Sequence, residues 1–369
     1  MKVNGKEYRS LWFDPDFPDR IFVIDQQRLP FSFLITELTS ADDVFLAIRN
    51  MVVRGAPVIG AAAAWGLYLA SMAMNSGKSV TGQLQQVADY LAKARPTAVN
   101  LKFALTFQIN RISRNMSAGE ITAQLKTGAR IYSGQEVEAC RSIGMSGLPI
   151  IQKAAEGKMG QSVNILTHCN AGWLACIDYG TALAPVYLAA EKGIPVHVWV
   201  DETRPRNQGA LLTMWELQKA GIPCTLIADN TGGHLMQHGM VDLVLVGSDR
   251  TTRTGDVANK IGTYLKALAA LDNRIPFYVA LPSSTIDFDI SDGIKDIPVE
   301  ERSPEEVLSI RGLSGKEDIS VRIAPENARA ANYGFDVTPA RLVTGLITER
   351  GICEASEKGL KSLFPDLMK

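Results

Sequence analysis

The sequence predicts an α/β fold, in which a doubly wound parallel sheet follows a mainly helical N-terminal domain with a small β element. Beyond residue 160, short apolar runs rich in β-branched residues alternate with helix-like segments, as is typical of parallel strands covered on both faces. Between residues 41 and 143, apolar residues instead recur at helical spacing. We therefore predict two domains, residues 1–150 and 151–369, joined by a glycine- and proline-containing linker at residues 145–160.

Local signals predict the N-terminal elements. Two β-like runs, residues 7–13 and 20–24, indicate a small sheet. Ser40 is a candidate N-cap for a helix beginning at Ala41, because its hydroxyl can accept from a free amide of the first turn. The uncharged segment 56–75 is long enough to span a membrane, but its glycines and alanines make it weakly apolar and favour a buried core helix. Further helices are predicted at residues 80–94, 100–117 and 118–143, with a break at Pro96.

Five apolar runs predict the strands of the second domain: residues 163–167, 195–200, 224–227, 243–246 and 276–281. Helix-like segments such as 182–192 and 209–220 separate most of them, so the domain is predicted to be Rossmann-like. No Gly-x-Gly-x-x-Gly sequence follows the first strand, and no Walker sequence occurs in the chain. The sequence therefore gives no support for a dinucleotide cofactor.

Composition narrows the classes of function. The 369 residues carry a net charge of −1 with no block of Lys or Arg, which argues against a nucleic-acid-binding surface. The N-terminus lacks the apolar core of a signal peptide, and five scattered cysteines fit free thiols in a reducing cytoplasm. His234 and His238 are four residues apart, but the glycines around them indicate a loop. We therefore predict a cytoplasmic protein without a metal site and without membrane contact.

One turn stands out as a candidate site of chemistry. Thr167-His168-Cys169-Asn170-Ala171-Gly172 directly follows the first apolar run and precedes a helix-like segment. Ligands bind at such strand ends, because loop amides and a helix N-terminus converge there. A helix end also lowers the pKa of a nearby thiol, which would favour the thiolate of Cys169. The alternative is that Cys169 is a small packing residue.

Two other strands also end in polar, turn-forming sequences. Residues 201–209 include Gln208, residues 247–250 include Asp249, and residues 255–262 include Asn259 and Lys260. The C-terminal ends of parallel strands lie along one edge, so we expect these loops to meet over one cleft. A thiol, carboxylates, an amide and a lysine suit acid–base chemistry on an anionic substrate. The alternative is that these residues only cap helices and stabilise turns.

Two N-terminal sequences have the character of anion-binding sites. Arg54-Gly55-Ala56-Pro57 precedes the alanine-rich helix, where a glycine lets the backbone approach a ligand closely. Arg95-Pro96-Thr97 lies at a predicted helix break. Arginine makes forked contacts with phosphate oxygens, but a lone arginine more commonly caps a helix or pairs locally.

A series of motifs resembles one known family, from about residue 40 to residue 350. In order, these are Arg54-Gly55-Ala56-Pro57, Arg95-Pro96-Thr97-Ala98-Val99-Asn100-Leu101, Thr167-His168-Cys169-Asn170-Ala171-Gly172, Glu202-Thr203-Arg204-Pro205, Gln208-Gly209-Ala210, Gly247-Ser248-Asp249-Arg250, Val257-Ala258-Asn259-Lys260-Ile261-Gly262-Thr263-Tyr264, Ser284-Thr285-Ile286-Asp287 and Phe335-Asp336-Val337-Thr338-Pro339-Ala340. Together they resemble the methylthioribose-1-phosphate isomerases, which are related in fold to the regulatory subunits of translation initiation factor 2B. A series of this length is far more specific than any single motif.

The resemblance implies an aldose–ketose isomerase that acts on a sugar phosphate without a cofactor or metal, as a homodimer. It implies that Cys169 and Asp249 are the catalytic pair. The substrate-binding set that it implies is Arg54, Gly55, Ala56, Arg95, Gln208, Asn259 and Lys260. Both N-terminal arginines thus agree with the anion-binding expectation above.

Three positions depart from the pattern of the family. Trp173 stands where a small residue is usual, and residues 206–207 and 332–335 are also unusual. If Trp173 narrows the pocket for the C5 substituent, a paralogue acting on 5-deoxyribose 1-phosphate is an alternative. Two further alternatives are a ribose 1,5-bisphosphate isomerase and a non-catalytic regulatory subunit, although the latter would be expected to lack the thiol–carboxylate pair.

Overall fold

The computed structural model describes residues 1–74, 80–95, 98–113 and 115–368. The N-terminal part consists of short strands followed by helices. The strands are β1 (Lys2–Val3), β2 (Lys6–Glu7), β3 (Leu11–Trp12), β4 (Ile21–Ile24) and β5 (Ile35–Leu38), and the last three form an antiparallel sheet. The helices are α1 (Ala41–Arg49), α2 (Ala56–Met72), α3 (Val80–Ala92), α4 (Val99–Ile109) and α5 (Ala118–Glu156). The predicted break at Pro96 lies outside the described residues.

The C-terminal part alternates strands and helices, as predicted. Its strands are β6 (Val163–Thr167), β7 (Val196–Asp201), β8 (Cys224–Ile227), β9 (Leu243–Val246), β10 (Arg250–Thr252), β11 (Val257–Lys260), β12 (Phe277–Ala280), β13 (Ile286–Asp287), β14 (Ser309–Ser314), β15 (Glu317–Arg322), β16 (Phe335–Thr338), β17 (Gly345–Thr348) and β18 (Gly351–Cys353). Its helices are α6 (Trp173–Cys176), α7 (Ala184–Glu191), α8 (Met214–Lys219), α9 (Thr231–Gln237), α10 (Thr263–Asp272), α11 (Gly293–Asp296), α12 (Glu305–Leu308) and α13 (Glu357–Leu363).

The main sheet has the strand order β18-β17-β12-β9-β6-β7-β8, and β18 is its antiparallel edge. Strand order reverses between β6 and β9, so their C-terminal ends flank the topological switch point where ligands bind in this architecture. Side chains alternate between two cores: Leu243 and Leu245 face one, and Val244 and Val246 face the other. The predicted Rossmann-like, doubly wound sheet is therefore confirmed.

A continuous helix runs through most of the predicted linker, so the linker prediction is wrong. Helix α5 extends to Glu156 and contains Pro149. Its glycines are packing positions, since a Cβ at Gly147 would lie 2.5 Å from Pro185 of α7. This close packing stabilises the helix across a proline that would weaken it in isolation. The division into residues 1–150 and 151–369 stays a prediction.

Helix α2 explains the long uncharged segment. It is buried on almost every side by the N-terminal core, as expected of a helix that is apolar all round. Its glycines allow close approach: a Cβ at Gly60 would lie 2.5 Å from the Tyr132 hydroxyl. Within the described ranges, no helix is long and apolar enough to cross a membrane.

A second, four-stranded sheet lies beside the switch point, in the order β13-β10-β11-β16. Residues 257–260 were expected in a loop but form β11, which pairs with both β10 and β16. This sheet therefore carries Asn259 and Lys260 on a paired strand. His234 was also expected in a loop but lies in α9, so that expectation is corrected too.

Candidate active site

Cys169 follows β6 directly and has a left-handed backbone, with φ of +67°. Two threonine hydroxyls hold this uncommon conformation. The Cys169 amide donates to Thr203 Oγ1 at 2.8 Å, and Thr213 Oγ1 donates to the Cys169 carbonyl at 2.7 Å. Backbone strain of this kind persists only where the surroundings enforce it, and it is common at functional sites.

The Cys169 thiol is buried, with 7% of the residue exposed, and it donates to Gln208 Oε1 at 2.9 Å. Burial raises the pKa of Cys169, while the positive charges of Arg54 and Lys260 act to lower it. We expected a helix end to favour the thiolate, but α6 is a single turn and burial prevails. The structure thus presents a thiol in the protonated form.

Asp249 lies just after β9, where its amide donates to the Ala258 carbonyl at 2.9 Å. Its carboxyl group makes no hydrogen bond or ion pair with the residues that the structure describes, although its charge acts on Arg95, Cys169 and Lys260. Asp249, Cys169 and Asn259 line one small cleft. Residues from three of the predicted segments thus meet at this cleft, and Gln208 of the remaining segment reaches it through its contact with Cys169.

Helix α2 closes this cleft from the N-terminal part. Gly55, Ala56 and Pro57 line it, so the start of this helix faces the same space as Cys169; of these three residues, Gly55 and Ala56 carry a backbone N–H. Gly55 has φ of +104°, and a Cβ there would lie 2.5 Å from the Cβ of Ala175. Only glycine allows this approach, which creates an anion-binding position at the helix N-terminus.

Both predicted arginines are buried near the cleft. The Arg54 guanidinium donates to the side chain and the carbonyl of Asn170, which fixes it against the catalytic turn. Arg95 is 6% exposed and lies 3.8 Å from a Glu300 carboxylate oxygen, while its Nε makes no hydrogen bond. Burial lowers the pKa of Arg95, opposed by the charges of Asp249 and Glu300. Pro96 and Thr97 of the same motif lie outside the described residues.

Lys260 adds a third buried cation. Its Nζ lies 4.8 Å from the ring centroid of Phe335 and makes no hydrogen bond or ion pair within the described part of the chain. Burial lowers the pKa of Lys260, and the charges of Cys169 and Asp249 oppose this. Its neighbour Asn259 donates to Thr263 Oγ1 at 3.0 Å. Three cationic side chains thus surround one carboxyl group and one thiol.

Sequence reasoning missed Glu216, which organises the turn beyond Cys169. This fully buried carboxylate accepts from the amides of Trp173 and Leu174, both at 3.0 Å, and from the Tyr187 hydroxyl at 2.9 Å. It also accepts from Asn170, the residue that holds Arg54. A lone glutamate in an apolar helix was the only signal in the sequence.

Trp173 does not narrow the site. Its side chain is 1% exposed and packs beside Trp215, with ring centroids 6.1 Å apart. A cavity of about 590 Å³ adjoins the cleft and is lined by Arg54, Gln208 and Met51, but Trp173 is not among its described lining residues. The expectation that Trp173 shapes the pocket for the C5 substituent therefore has no support.

One group of side chains has the composition of a metal site. His168, Asp201 and Asp229 place their ligand atoms within 4.8 Å of one another. However, Lys266 Nζ already lies 3.2 Å from the Asp201 carboxylate, and both Asp229 oxygens accept backbone amides. These atoms are engaged with protons and a lysine, so the donor set does not fit a cation.

Comparisons with known proteins agree with this geometry. The model of the initiation factor 2 subunit family matches residues 52–355. The methylthioribose-1-phosphate isomerase of Desulfatibacillum aliphaticivorans is 55% identical over the full length of both chains, and that of Gluconobacter oxydans is 56% identical over the same coverage.

Two solved structures are also similar. The 5-methylthioribose 1-phosphate isomerase of Pyrococcus horikoshii has a TM-score of 0.83 at 38% identity, covering 98% of this chain and 97% of that one. The eIF-2B delta subunit of A. fulgidus has a TM-score of 0.77 at 37% identity, covering 98% and 99%. The chain therefore belongs to the initiation factor 2 subunit family and, within it, to the methylthioribose-1-phosphate isomerase family.

Proposed function

We propose that this protein converts 5-methylthioribose 1-phosphate into 5-methylthioribulose 1-phosphate, with Cys169 and Asp249 as the catalytic pair. The observation that carries the proposal is that three buried cations, Arg54, Arg95 and Lys260, lie close enough for their charges to act on Asp249 or Cys169. This charge arrangement suits a dianionic phosphate ester that must also exchange protons. The names of the relatives described above agree with it.

In this proposal the phosphate lies between the start of α2 and the cations. The backbone amides of Gly55 and Ala56 are the donors at the positive end of this 17-residue helix. Arg95 brings an Nε without a partner, and Lys260 brings an unpaired ammonium group, so both gain a partner when the phosphate binds. Arg54 is already positioned by Asn170. Gln208 and Asn259 then contact the sugar.

The chemistry begins with opening of the ring. Because the phosphate occupies the anomeric oxygen, the sugar cannot open to an aldehyde by losing that oxygen's proton. Protonated Asp249 donates to the ring oxygen as the bond from C1 to that oxygen breaks. A hydrogen must then move from C2 to C1, either as a proton carried by Cys169 through an enol or as a direct hydride shift.

The two routes differ in what Cys169 must do. In the proton route, the Cys169 thiol first passes its proton to the Asp249 carboxylate, which then gives it to the ring oxygen. The resulting thiolate, stabilised by the nearby cations, removes the proton at C2 and returns it at C1, while the proton of the C2 hydroxyl goes back to Asp249. In the hydride route, Cys169 only stabilises charge. Turnover in deuterated water separates them: deuterium at C1 of the product supports the proton route, and its absence supports direct hydride transfer.

The residues of the candidate site also bear on two alternative functions, a non-catalytic regulatory subunit and a ribose 1,5-bisphosphate isomerase. A non-catalytic subunit would not be expected to retain Cys169 and Asp249 together. A ribose 1,5-bisphosphate isomerase needs a second phosphate pocket, and the adjoining cavity does contain three arginines besides Arg54, namely Arg28, Arg206 and Arg311. Arg206 is paired with Glu306 and Arg311 with Asp318, so these charges are already balanced.

The test is kcat/KM for 5-methylthioribose 1-phosphate and 5-deoxyribose 1-phosphate, measured side by side. We expect a preference of about tenfold or more for the first, and losses of roughly 10²- to 10⁴-fold in Cys169→Ser and Asp249→Asn. Cys224→Ser, at a half-buried thiol on β8, is the matched control and should retain activity. No turnover of either substrate, or full activity in both site variants, contradicts the proposal.

We also propose that the protein acts as a cytoplasmic homodimer in methionine salvage. All five cysteines are free, which fits a reducing compartment. Sedimentation at micromolar concentration should give twice the mass of one 40.1 kDa chain. A single-chain mass at every concentration contradicts the dimer.

A further inference from the structure

The ring of His168 lies between two groups that can only accept hydrogen bonds. Its Nδ1 is 2.9 Å from Asp201 Oδ2, and its Nε2 is 2.8 Å from the Ile261 carbonyl oxygen. The residue is 1% exposed, so water does not offer an alternative partner. A neutral imidazole has only one N–H and could satisfy only one of these acceptors. Asp201 is paired with Lys266, whose Nζ lies 3.2 Å from its Oδ2, and so accepts as a carboxylate. Both contacts of the ring are then hydrogen bonds only if both nitrogens carry protons.

The charges around this ring favour the cationic form. Asp201 is fully buried and touches His168 directly, and Asp229 lies 4.0 Å from Nδ1. Asp336, on β16, is close enough for its charge to interact with both His168 and Lys266. Lys266, on α10, is the one cation among these facing groups and is bound to Asp201. Three carboxyl groups therefore face one lysine and the imidazole.

The backbone near His168 is shaped around the ring. Gly262 has φ of +102°, and a Cβ there would lie 3.2 Å from His168 Cε1 and 3.3 Å from Lys266 Nζ. The Asp336 carboxylate holds the same segment through the amides of Gly262 and Tyr264. Ile261 therefore presents its carbonyl to His168 at a short distance.

The two hydrogen bonds of His168 link distant parts of the site. On one side, His168 is the chain neighbour of Cys169. On the other side, Ile261 is the chain neighbour of Lys260. The His168 ring thus connects the turn that carries Cys169 to strand β11, which carries Lys260. Asp201, the last residue of β7, holds the ring through its Nδ1.

We propose that His168 is a positioning residue whose ring donates from both nitrogens, to Asp201 and to Ile261, and so fixes the Cys169 turn relative to Lys260. It does not touch substrate and transfers no proton during turnover. Its effect on the rate rests on the proposed function, whereas its protonation state does not. The proposal can therefore fail separately from the isomerase assignment.

The direct test is ring ¹⁵N NMR of the intact protein labelled at its four histidines. The variants His197→Gln, His234→Gln and His238→Gln each remove one signal and leave His168 assigned. We expect the ring ¹⁵N signals of His168 in the folded protein to show a proton on both nitrogens. A neutral-tautomer signature contradicts the proposal whether or not the enzyme is active.

A second test uses Asp201→Asn, which keeps the shape but removes the charge that faces Nδ1. We expect Nδ1 of His168 to lose its proton in this variant, because an asparagine amide can donate to a neutral ring nitrogen, so that the neutral-tautomer signature appears in the ring ¹⁵N spectrum and kcat falls. A residue with a purely structural role would lower stability without changing that signature.

Kinetics of His168→Gln complete the test. We expect kcat to fall about a hundredfold with a smaller change in KM, because a displacement of about 1 Å between reacting groups has an effect of this size. Unchanged kcat in a folded His168→Gln variant contradicts the positioning role. Absence of turnover in the unmodified enzyme would instead overturn the proposed function and leave the NMR result intact.

Discussion

At Cys169, burial and nearby cations act in opposite directions on one thiol. Burial raises its pKa, and the charges of Arg54 and Lys260 lower it. Gln208 Oε1 accepts a hydrogen bond from the Cys169 thiol, which further favours the protonated form of that thiol. Chemistry that needs a thiolate therefore depends on these cations and on displacement of the Gln208 contact.

The pH dependence of alkylation tests this balance. The rate of Cys169 modification by iodoacetamide should rise only above the ordinary pH range of a thiol, because burial raises the pKa of Cys169. Lys260→Met should shift the profile to still higher pH, since it removes a charge that lowers this pKa. Lys219→Met, at an exposed position of α8, is the matched control and should leave the profile unchanged. A shift to lower pH in Lys260→Met would contradict the assignment.

At the scale of single elements, the start of α2 decides how the N-terminal part meets the catalytic turn. The helix begins where Gly55 turns the chain with a positive φ, and Pro57 occupies its first turn. The backbone of α6 lies directly against Gly55, so the two segments touch without an intervening side chain. The anion-binding end of α2 is thereby held beside Cys169.

Replacement of Gly55 by alanine should disturb both stability and binding. A Cβ would lie 2.6 Å from the Ala175 backbone, and alanine disfavours a φ of +104°. We expect a loss of about 3 kcal/mol in the free energy of unfolding and a raised KM. Gly119→Ala is the control, because a Cβ there meets nothing within 4 Å; it should be neutral or slightly stabilising. Urea unfolding of both variants measures the difference, and equal effects would contradict the steric argument.

At the scale of the whole molecule, the site is assembled from separate stretches of chain that meet around the switch point between β6 and β9. The same packing also buries an acidic side chain on α5. Glu136, in the middle of α5, is 5% exposed, and its Oε2 has no hydrogen-bond partner. Burial raises the pKa of Glu136 to about 7, which the nearby hydroxyls of Ser284 and Tyr132 only partly oppose.

This buried acid makes global stability depend on pH. Because the folded-state pKa lies above the ordinary value of 4.5, the stabilising contribution is present at low pH and is lost as pH rises toward about 7. Glu136→Gln should remove this loss, so that its stability relative to the native protein improves by up to about 3 kcal/mol between pH 5 and pH 8. Glu138→Gln, at an exposed position on the same helix, is the control. Urea unfolding between pH 5 and pH 8 measures the free energy of unfolding of each variant. If this free energy changed with pH in the same way in Glu136→Gln and in the native protein, the prediction would be contradicted.

Local pattern was sufficient for the strands and for much of the candidate site. Three predicted strands, residues 163–167, 224–227 and 243–246, have the observed bounds. The sequence predicts an end of helix α5 at residue 143, because Gly147 and Pro149 are loop-forming residues in isolation. In the structure, α7 packs against Gly147 and the helix continues to Glu156. Glu216 was missed because its partners lie about forty residues earlier in the chain.

The sequence by itself determined the alternation of strands and helices, the placement of Cys169 and Asp249 at strand ends, and the family. Apolar periodicity, turn-forming residues and motif order are local properties, so they can be identified in the sequence without knowledge of distant contacts. Only the tertiary structure decided the protonated state of Cys169, the burial of Trp173 away from the cleft and the two hydrogen bonds of His168. These depend on how deeply each group is buried and on partners supplied by remote segments, which determine the free energy of each charge and of each contact.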